Sequence, residues 1–178
     1  MKKHILIFCG ALFTGAGLLV SCSKNDNGNE TAGSSRLNVR MTDAPGVYDA
    51  VNVDIQEVRV KFSDDSTDTG WVALTTYPGV YNLLDFQNGV DTLLATGVFP
   101  TQVVKEIRLV VGPDNFVTVG GVDFPLTIPS GAETGLKIKV DHALDETLET
   151  IIIDFDAAMS IQQTGNGAYM LKPVLRVK

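Results

Sequence analysis

The chain has 178 residues, 44% of them hydrophobic, and carries 14 Lys and Arg against 21 Asp and Glu, a net charge of −7. That acidic balance disfavours nucleic acid as a partner, because phosphate binding needs a basic stripe that releases counterions. Two cysteines and two histidines are too few for a zinc site of the usual His and Cys type.

The amino terminus predicts a lipoprotein signal. Met1, Lys2, Lys3 and His4 lead into an apolar run from Ile5 to Val20, and Ser21 precedes Cys22. A charged start, a short hydrophobic run and a small residue at the cut make a cleavable leader. As a membrane span the run is short for a hydrocarbon core of about 30 Å, and Gly10, Gly15 and Gly17 interrupt it. The expectation is a signal peptide over 1–21 and a lipid on Cys22, which places the protein in the cell envelope as an outer-membrane lipoprotein, with the cell surface as its predicted exposure. Removing 1–21 takes away Lys2, Lys3, His4 and Cys9 and moves the net charge to −9. One acylated cysteine then remains, so disulfides are excluded and a packed core must supply the stability. Membrane attachment is expected through the acyl chains, at about 0.8 kcal/mol per buried methylene.

Ser, Asn, Asp, Gly, Glu and Thr dominate from Ser23 to Ser35, with Ala32 the lone apolar side chain besides glycine. Such composition predicts a flexible polar tether over 22–35, leaving 36–178 as a single domain.

Beyond it the apolar period is two. Leu37, Val39 and Met41 alternate with Arg36, Asn38 and Arg40, as do Val51, Val53 and Ile55 with Asn52 and Asp54. The phase slips at Gln56 and Glu57 before Val58, Val60 and Phe62, which predicts a bulge that keeps both halves facing the core. Further strands are expected over 70–75, 103–111, 115–119, 122–126, 136–141, 147–155 and 168–177. Gly112-Pro113-Asp114-Asn115, Gly120-Gly121, Asn88-Gly89 and Asn166-Gly167 supply turns. Residues 83–95 read as loop plus short strand, since Asn88-Gly89 interrupts any helix. The prediction is an all-β fold with little helix: an antiparallel β-sandwich with an immunoglobulin- or transthyretin-like Greek key. Its core is expected to contain Val53, Ile55, Val60, Ile107, Leu109, Ile138, Ile153 and Phe155.

One ordered set of motifs spans nearly the whole domain. Met41-Thr42-Asp43-Ala44-Pro45 with Tyr48-Asp49, Tyr81-Asn82-Leu83-Leu84, Glu106-Ile107-Arg108-Leu109, Pro129-Ser130-Gly131, Gly135-Leu136-Lys137-Ile138, Asp154-Phe155-Asp156-Ala157 and Leu171-Lys172-Pro173-Val174 together resemble the domain-of-unknown-function 4382 family. The resemblance implies a secreted or lipid-anchored bacterial β domain and transfers no catalytic residue.

The residues themselves predict a protein that is not an enzyme. His142, the histidine that outlasts cleavage, ends a strand where a solvated turn residue is expected, and a Ser, His and acid relay needs more. Asp154 and Asp156 share a strand face about 6.6 Å apart. Asp43 approaches them if the terminal strands are neighbours. The trio is then either a site for a hard cation, calcium if any, or a hydrogen-bonded corner. The run Asp64 to Gly70 has its glycine seventh, and Thr75 at the twelfth place, so it departs from a calcium loop. Trp71 and Tyr48 are the candidate ligand-binding aromatics, with core filling the alternative for Trp71. Two functions follow: a non-catalytic binding module for a glycan or protein, or a structural or accessory subunit docking on another envelope protein. An uncapped sheet edge favours the accessory role; an aromatic and amide-rich rim favours the module.

Overall fold

Strands whose alternate side chains are apolar can bury only one face, so two such sheets must close on each other. The computed structural model describes residues 33–129 and 135–178; the expected signal segment, Cys22, nearly all of the tether and Ser130-Gly131 lie outside them. The strands are β1 (Ser34–Thr42), β2 (Ala50–Lys61), β3 (Trp71–Ala73), β4 (Thr75–Thr76), β5 (Gly79–Asn82), β6 (Thr92–Pro100) and β7 (Val103–Val111). They continue as β8 (Phe116–Val119), β9 (Val122–Thr127), β10 (Leu136–Ala143), β11 (Leu148–Phe155), β12 (Ile161–Gln163), β13 (Tyr169–Leu171) and β14 (Leu175–Val177). A 3-10 turn covers Leu83–Phe86, and a single helical turn, α1, covers Ala157–Ser160.

The smaller sheet runs β14-β11-β1-β6-β4, and the larger runs β10-β7-β2-β8-β9-β13-β12, with β3 and β5 also paired to β2. The fold is therefore an all-β sandwich, and all eight predicted core residues are buried. The bulge falls where the phase slip puts it, between Ile55 and Glu57. Val53 and Ile55 before it, and Val58 and Val60 after it, are all fully buried.

Two ladders depart from the antiparallel expectation. β1 pairs with β11 in parallel, Val39 opposite Ile151, and β13 pairs with β9 in parallel. Alternation reports which side chains are buried and is silent on strand direction, and the long connection between β1 and β11 places no constraint on it. The strand expected over 70–75 is two strands serving different sheets: β3 lies on β2 and β4 on β6, with buried Leu74 at the corner. The segment 168–177 divides in the same way around Pro173 into β13 and β14, one in each sheet. Ser34 and Ser35, expected in the tether, already belong to β1, and Ser35 is buried.

Candidate functional site

The predicted carboxylate trio forms a corner at the end of β1. Asp43 is buried; its Oδ1 accepts the Ala157 N–H at 2.8 Å and its Oδ2 accepts from Gln87 Nε2 at 3.1 Å. Asp156 caps α1 through the Met159 N–H at 2.9 Å and accepts from Arg176 at 2.8 Å. These are the bonds a helix start requires for its orphan amides. Burial pushes the Asp43 carboxyl up from its ordinary range, and the nearby Asp154 charge adds to the rise. Asp154 Oδ1 is buried without a partner among the described residues. Among the described residues no group of three His, Cys, Asp or Glu side chains is arranged to hold a metal ion, so calcium chemistry at this corner rests on the sequence pattern alone. A groove of about 470 Å³, lined by Met159, Leu171 and Pro173 among others, lies beside α1.

The two predicted aromatics are not brought together. Tyr48 precedes the start of β2, half-buried against the core, with burial and the nearby Tyr169 raising its phenol. Trp71 pairs with Lys61 at the other end of this 12-residue strand, roughly 35 Å away by strand rise. His142 also differs from expectation. Asp141 takes a left-handed conformation (φ 48°), the register of β10 on β7 shifts between Lys139 and His142, and the strand carries on to Ala143. His142 is thereby half-buried on a strand, 2.9 Å from Glu149 on β11. That bond holds the Glu149 carboxyl below its usual range.

The larger concentration of chemistry surrounds Trp71. With Val58, Val60, Ile107, Leu109, Leu136 and Ile138 turned into the core, the intervening residues of β2, β7 and β10 must face outward. Cross-strand register puts Arg59, Arg108 and Lys137 in one row and Trp71, Lys61, Glu106 and Lys139 in the next. Five of the chain's 14 basic residues thus occupy one sheet face of an acidic protein.

The indole lies at the centre of this face. The Arg108 guanidinium sits 4.1 Å from its centroid, with the Lys61 and Lys137 ammonium groups each at 6.0 Å. A cation over an aromatic face contributes about 0.5–2 kcal/mol. Gly135 permits the close packing: it has φ +68°, and a Cβ there would lie 2.7 Å from the Leu109 carbonyl oxygen and 2.9 Å from Arg108 Cγ. Two donors stay unanswered among the described residues, since Trp71 Nε1 and Arg108 Nε are both buried without a partner there.

The acidic run 63–70 folds over the cations. Lys61, 1% exposed, donates to the Asp65 carbonyl at 2.9 Å, the Asp65 carboxylate at 2.6 Å and the Thr67 carbonyl at 2.7 Å. The loop that departs from a calcium motif does enclose a cation, the chain's own ammonium. Asp68 Oδ1 accepts from Lys137 at 2.8 Å and also from Arg108. These donors hold the Asp65 and Asp68 carboxyls well below their ordinary range.

A family model, described as a domain of unknown function (DUF4382), matches residues 34–173. The chain belongs to this family. No curated protein and no solved structure matches it. Two stretches that carried the family resemblance, 106–109 and 135–138, are cross-strand neighbours and supply Arg108 and Lys137 to the Trp71 face. Sequence reading passed over these cations, although the signal was there: outward positions of the alternation in β2, β7 and β10 hold Arg59, Lys61, Arg108, Lys137 and Lys139, interspersed with acids such as Glu57 and Glu106.

Proposed function

We propose that this DUF4382 protein is a lipid-anchored envelope lipoprotein, held through Cys22 in the outer membrane and exposed at the cell surface, whose sandwich is a non-catalytic binding module for a glycan or protein. The observation that carries the binding role is the cationic face around Trp71. Like charges placed directly opposite on neighbouring strands destabilise a sheet, yet Arg59, Arg108 and Lys137 stand in register across three strands, with Glu57 answering Arg59 and a single carboxylate, Asp68, shared by the other two. Such a row, beside an indole with an unanswered N–H, suits a surface kept for a ligand.

Two observations support the rest of the reading. The His142 Nε2 is engaged by Glu149 instead of a serine or threonine hydroxyl, which accords with a binding role. The edges of the sheets suit a module better than assembly by strand addition. β10 presents Lys137 and Lys139 outward and carries an irregularity at Asp141, while β12 and β14 are three residues long and β4 two. Charged, bulged or very short edges discourage a further strand.

Growing cells on a clickable palmitate tests the anchor: label is expected on the wild type and lost from Cys22→Ala, and label retained on that variant would refute lipidation. For the face, a glycan array and an envelope pull-down with the full-length protein are compared with Lys137→Glu. Binding is expected to fall at least tenfold in the variant, and equal binding would refute this face as the contact surface.

A further inference from the structure

We infer that the outer face of the smaller sheet rests on the headgroup region of the bilayer that holds the Cys22 lipid, with Leu148 and Val98 reaching the acyl boundary and Arg36 meeting lipid phosphates. The inference rests on the lipid anchor proposed above and adds the orientation of the sandwich on its membrane.

The face follows from the alternation. Leu37 and Val39 of β1 and Ile151 of β11 point into the core, so Arg36 and Leu148 point away from it. Register sets Leu148, Arg36 and Val98 side by side on β11, β1 and β6. Leu148 is 56% exposed and Val98 57%, and among the described residues the Arg36 guanidinium has no hydrogen-bonding or ionic partner. In water both apolar side chains stay wet and the arginine gains no counter-charge. At a bilayer interface aliphatic side chains enter the acyl boundary while arginine forks onto phosphate.

The charge of this face differs from that of the chain. The next row inward, Thr150, Asn38 and Thr96, is uncharged, and Arg40 in the row after it is paired with Asp91. Along β11 the first outward acid is Asp154, six residues beyond Leu148, roughly 20 Å by strand rise. Asp145 and Glu146 lie on the turn before Leu148, and among the described residues neither forms an ion pair with Arg36. A chain with 21 acidic and 14 basic residues thus keeps one end of a sheet face nearly clear of carboxylates, which spares it the repulsion of an anionic lipid surface.

The point where the chain enters decides which surface is covered. Gly33 precedes β1, and its carbonyl accepts the Thr101 N–H at 2.9 Å, which ties the entry to the end of β1 that carries Arg36. Eleven residues lead from Cys22 to Gly33, at most about 40 Å of chain. The row therefore stays within reach of the bilayer whenever the lipid is inserted. Confinement of this kind raises the effective concentration of the surface, so that a small patch suffices. The outer faces of a sandwich point in opposite directions. Contact through the smaller sheet therefore turns the Trp71 face, on the larger sheet, toward solvent and its ligand.

An acylated mature chain retains no free thiol, so one added cysteine reports on its own position. Full-length protein is produced with Leu148→Cys, Val98→Cys or, on the opposite outer face, Lys139→Cys, each checked for wild-type circular dichroism. The thiol is labelled with a fluorophore, and the protein is reconstituted in phosphatidylcholine and phosphatidylglycerol vesicles that carry a nitroxide headgroup lipid. Quenching is expected to be about threefold or more stronger at positions 148 and 98 than at 139, and to fall to the 139 level when Arg36→Glu is added. Equal quenching at the three positions would overturn the contact, and quenching that Arg36→Glu leaves unchanged would overturn the phosphate contact of Arg36. A disulfide-linked dimer of unlabelled Leu148→Cys, with no quenching at 98, would assign the face to a second copy and overturn the bilayer. Dye on protein without an added cysteine would mark an unacylated chain and refute the anchor and with it the inference, a result distinct from equal quenching on an acylated chain.

Discussion

Replacing Asp43 separates its two roles, acceptor and buried charge. Its Oδ1 satisfies the Ala157 N–H at the start of α1, and its Oδ2 receives Gln87 across the corner. Asp43→Ala strands a buried amide, which costs about 1–3 kcal/mol, and removes a second bond worth about 1 kcal/mol. The expected loss is about 2–4 kcal/mol. Asp43→Asn keeps an oxygen for Ala157 and removes both the charge and its repulsion with Asp154, so a loss below about 1 kcal/mol is expected. The variants also differ in their response to pH. Burial raises the folded-state pKa of Asp43 above its unfolded value, so the folded form binds its proton more tightly. The resulting stability is complete below the unfolded value and is lost as pH rises through the raised folded value. Urea unfolding between pH 3.5 and 7 measures both effects, provided the slope with denaturant is unchanged. Asp43→Asn should lack the decline that the wild type shows over this interval. An alanine variant within about 0.5 kcal/mol of wild type, or an asparagine variant as damaged as the alanine, would refute this account of the corner.

Phe155→Ala, at a fully buried position, should cost about 3–5 kcal/mol in the same assay; less than about 0.5 kcal/mol would reverse the assigned faces of β11. Glu149→Gln tests the bond to His142. That bond lowers the Glu149 carboxyl, so its contribution is present above the unfolded value and lost as pH falls through the folded one. The variant should be less stable than wild type at pH 7 and converge with it in acid, and a constant difference would count against the bond. Lys61→Met keeps the buried stem and removes the donor to three loop oxygens; limited proteolysis within 63–70 should accelerate severalfold, and an unchanged rate would show that the ammonium does not hold the loop. Millimolar calcium against chelator should leave the thermal midpoint unmoved, because Asp43 and Asp156 are committed to α1; a rise that disappears in Asp154→Ala would establish a cation site there.

Period-two alternation records burial, and burial was what the sequence made legible. Val53, Ile55, Ile107, Leu109, Ile153 and Phe155 all face the core, and the bulge after Ile55 follows from the requirement that both halves of β2 keep their apolar side chains dry. Partner choice leaves no such trace. Trp71–Ala73 and Thr75–Thr76 alternate as one run but serve opposite sheets, because a strand that turns at Leu74 keeps its burial pattern while exchanging neighbours. The same blindness hid the parallel pairing of β1 with β11. β6 was foreseen only as a short strand, because Gly97 and Pro100 dilute its alternation.

The candidate sites divide along the same line. Asp43 and Asp156 drew notice as acids near strand ends, and proximity was real, but their oxygens go to the amides of α1, a helical turn too short to leave a periodic signature. At the Trp71 face the informative residues were the polar ones. Arg59 and Lys61 in β2, Arg108 in β7, and Lys137 and Lys139 in β10 occupy outward positions, the half of an alternation that a search for the core discards. Read strand by strand they are ordinary solubilising charges. Only the register that sets Arg59 opposite Arg108, and Arg108 opposite Lys137, turns them into one electrostatic object. That object needs a counter-charge to be stable beside an indole, because three aligned cations repel one another and lose hydration as they gather. Glu57 supplies it to Arg59, and Asp68 supplies it to Arg108 and Lys137 from a loop with no apolar anchor, so the stability of the Trp71 end of the face and its availability to a ligand are set by the same carboxylate.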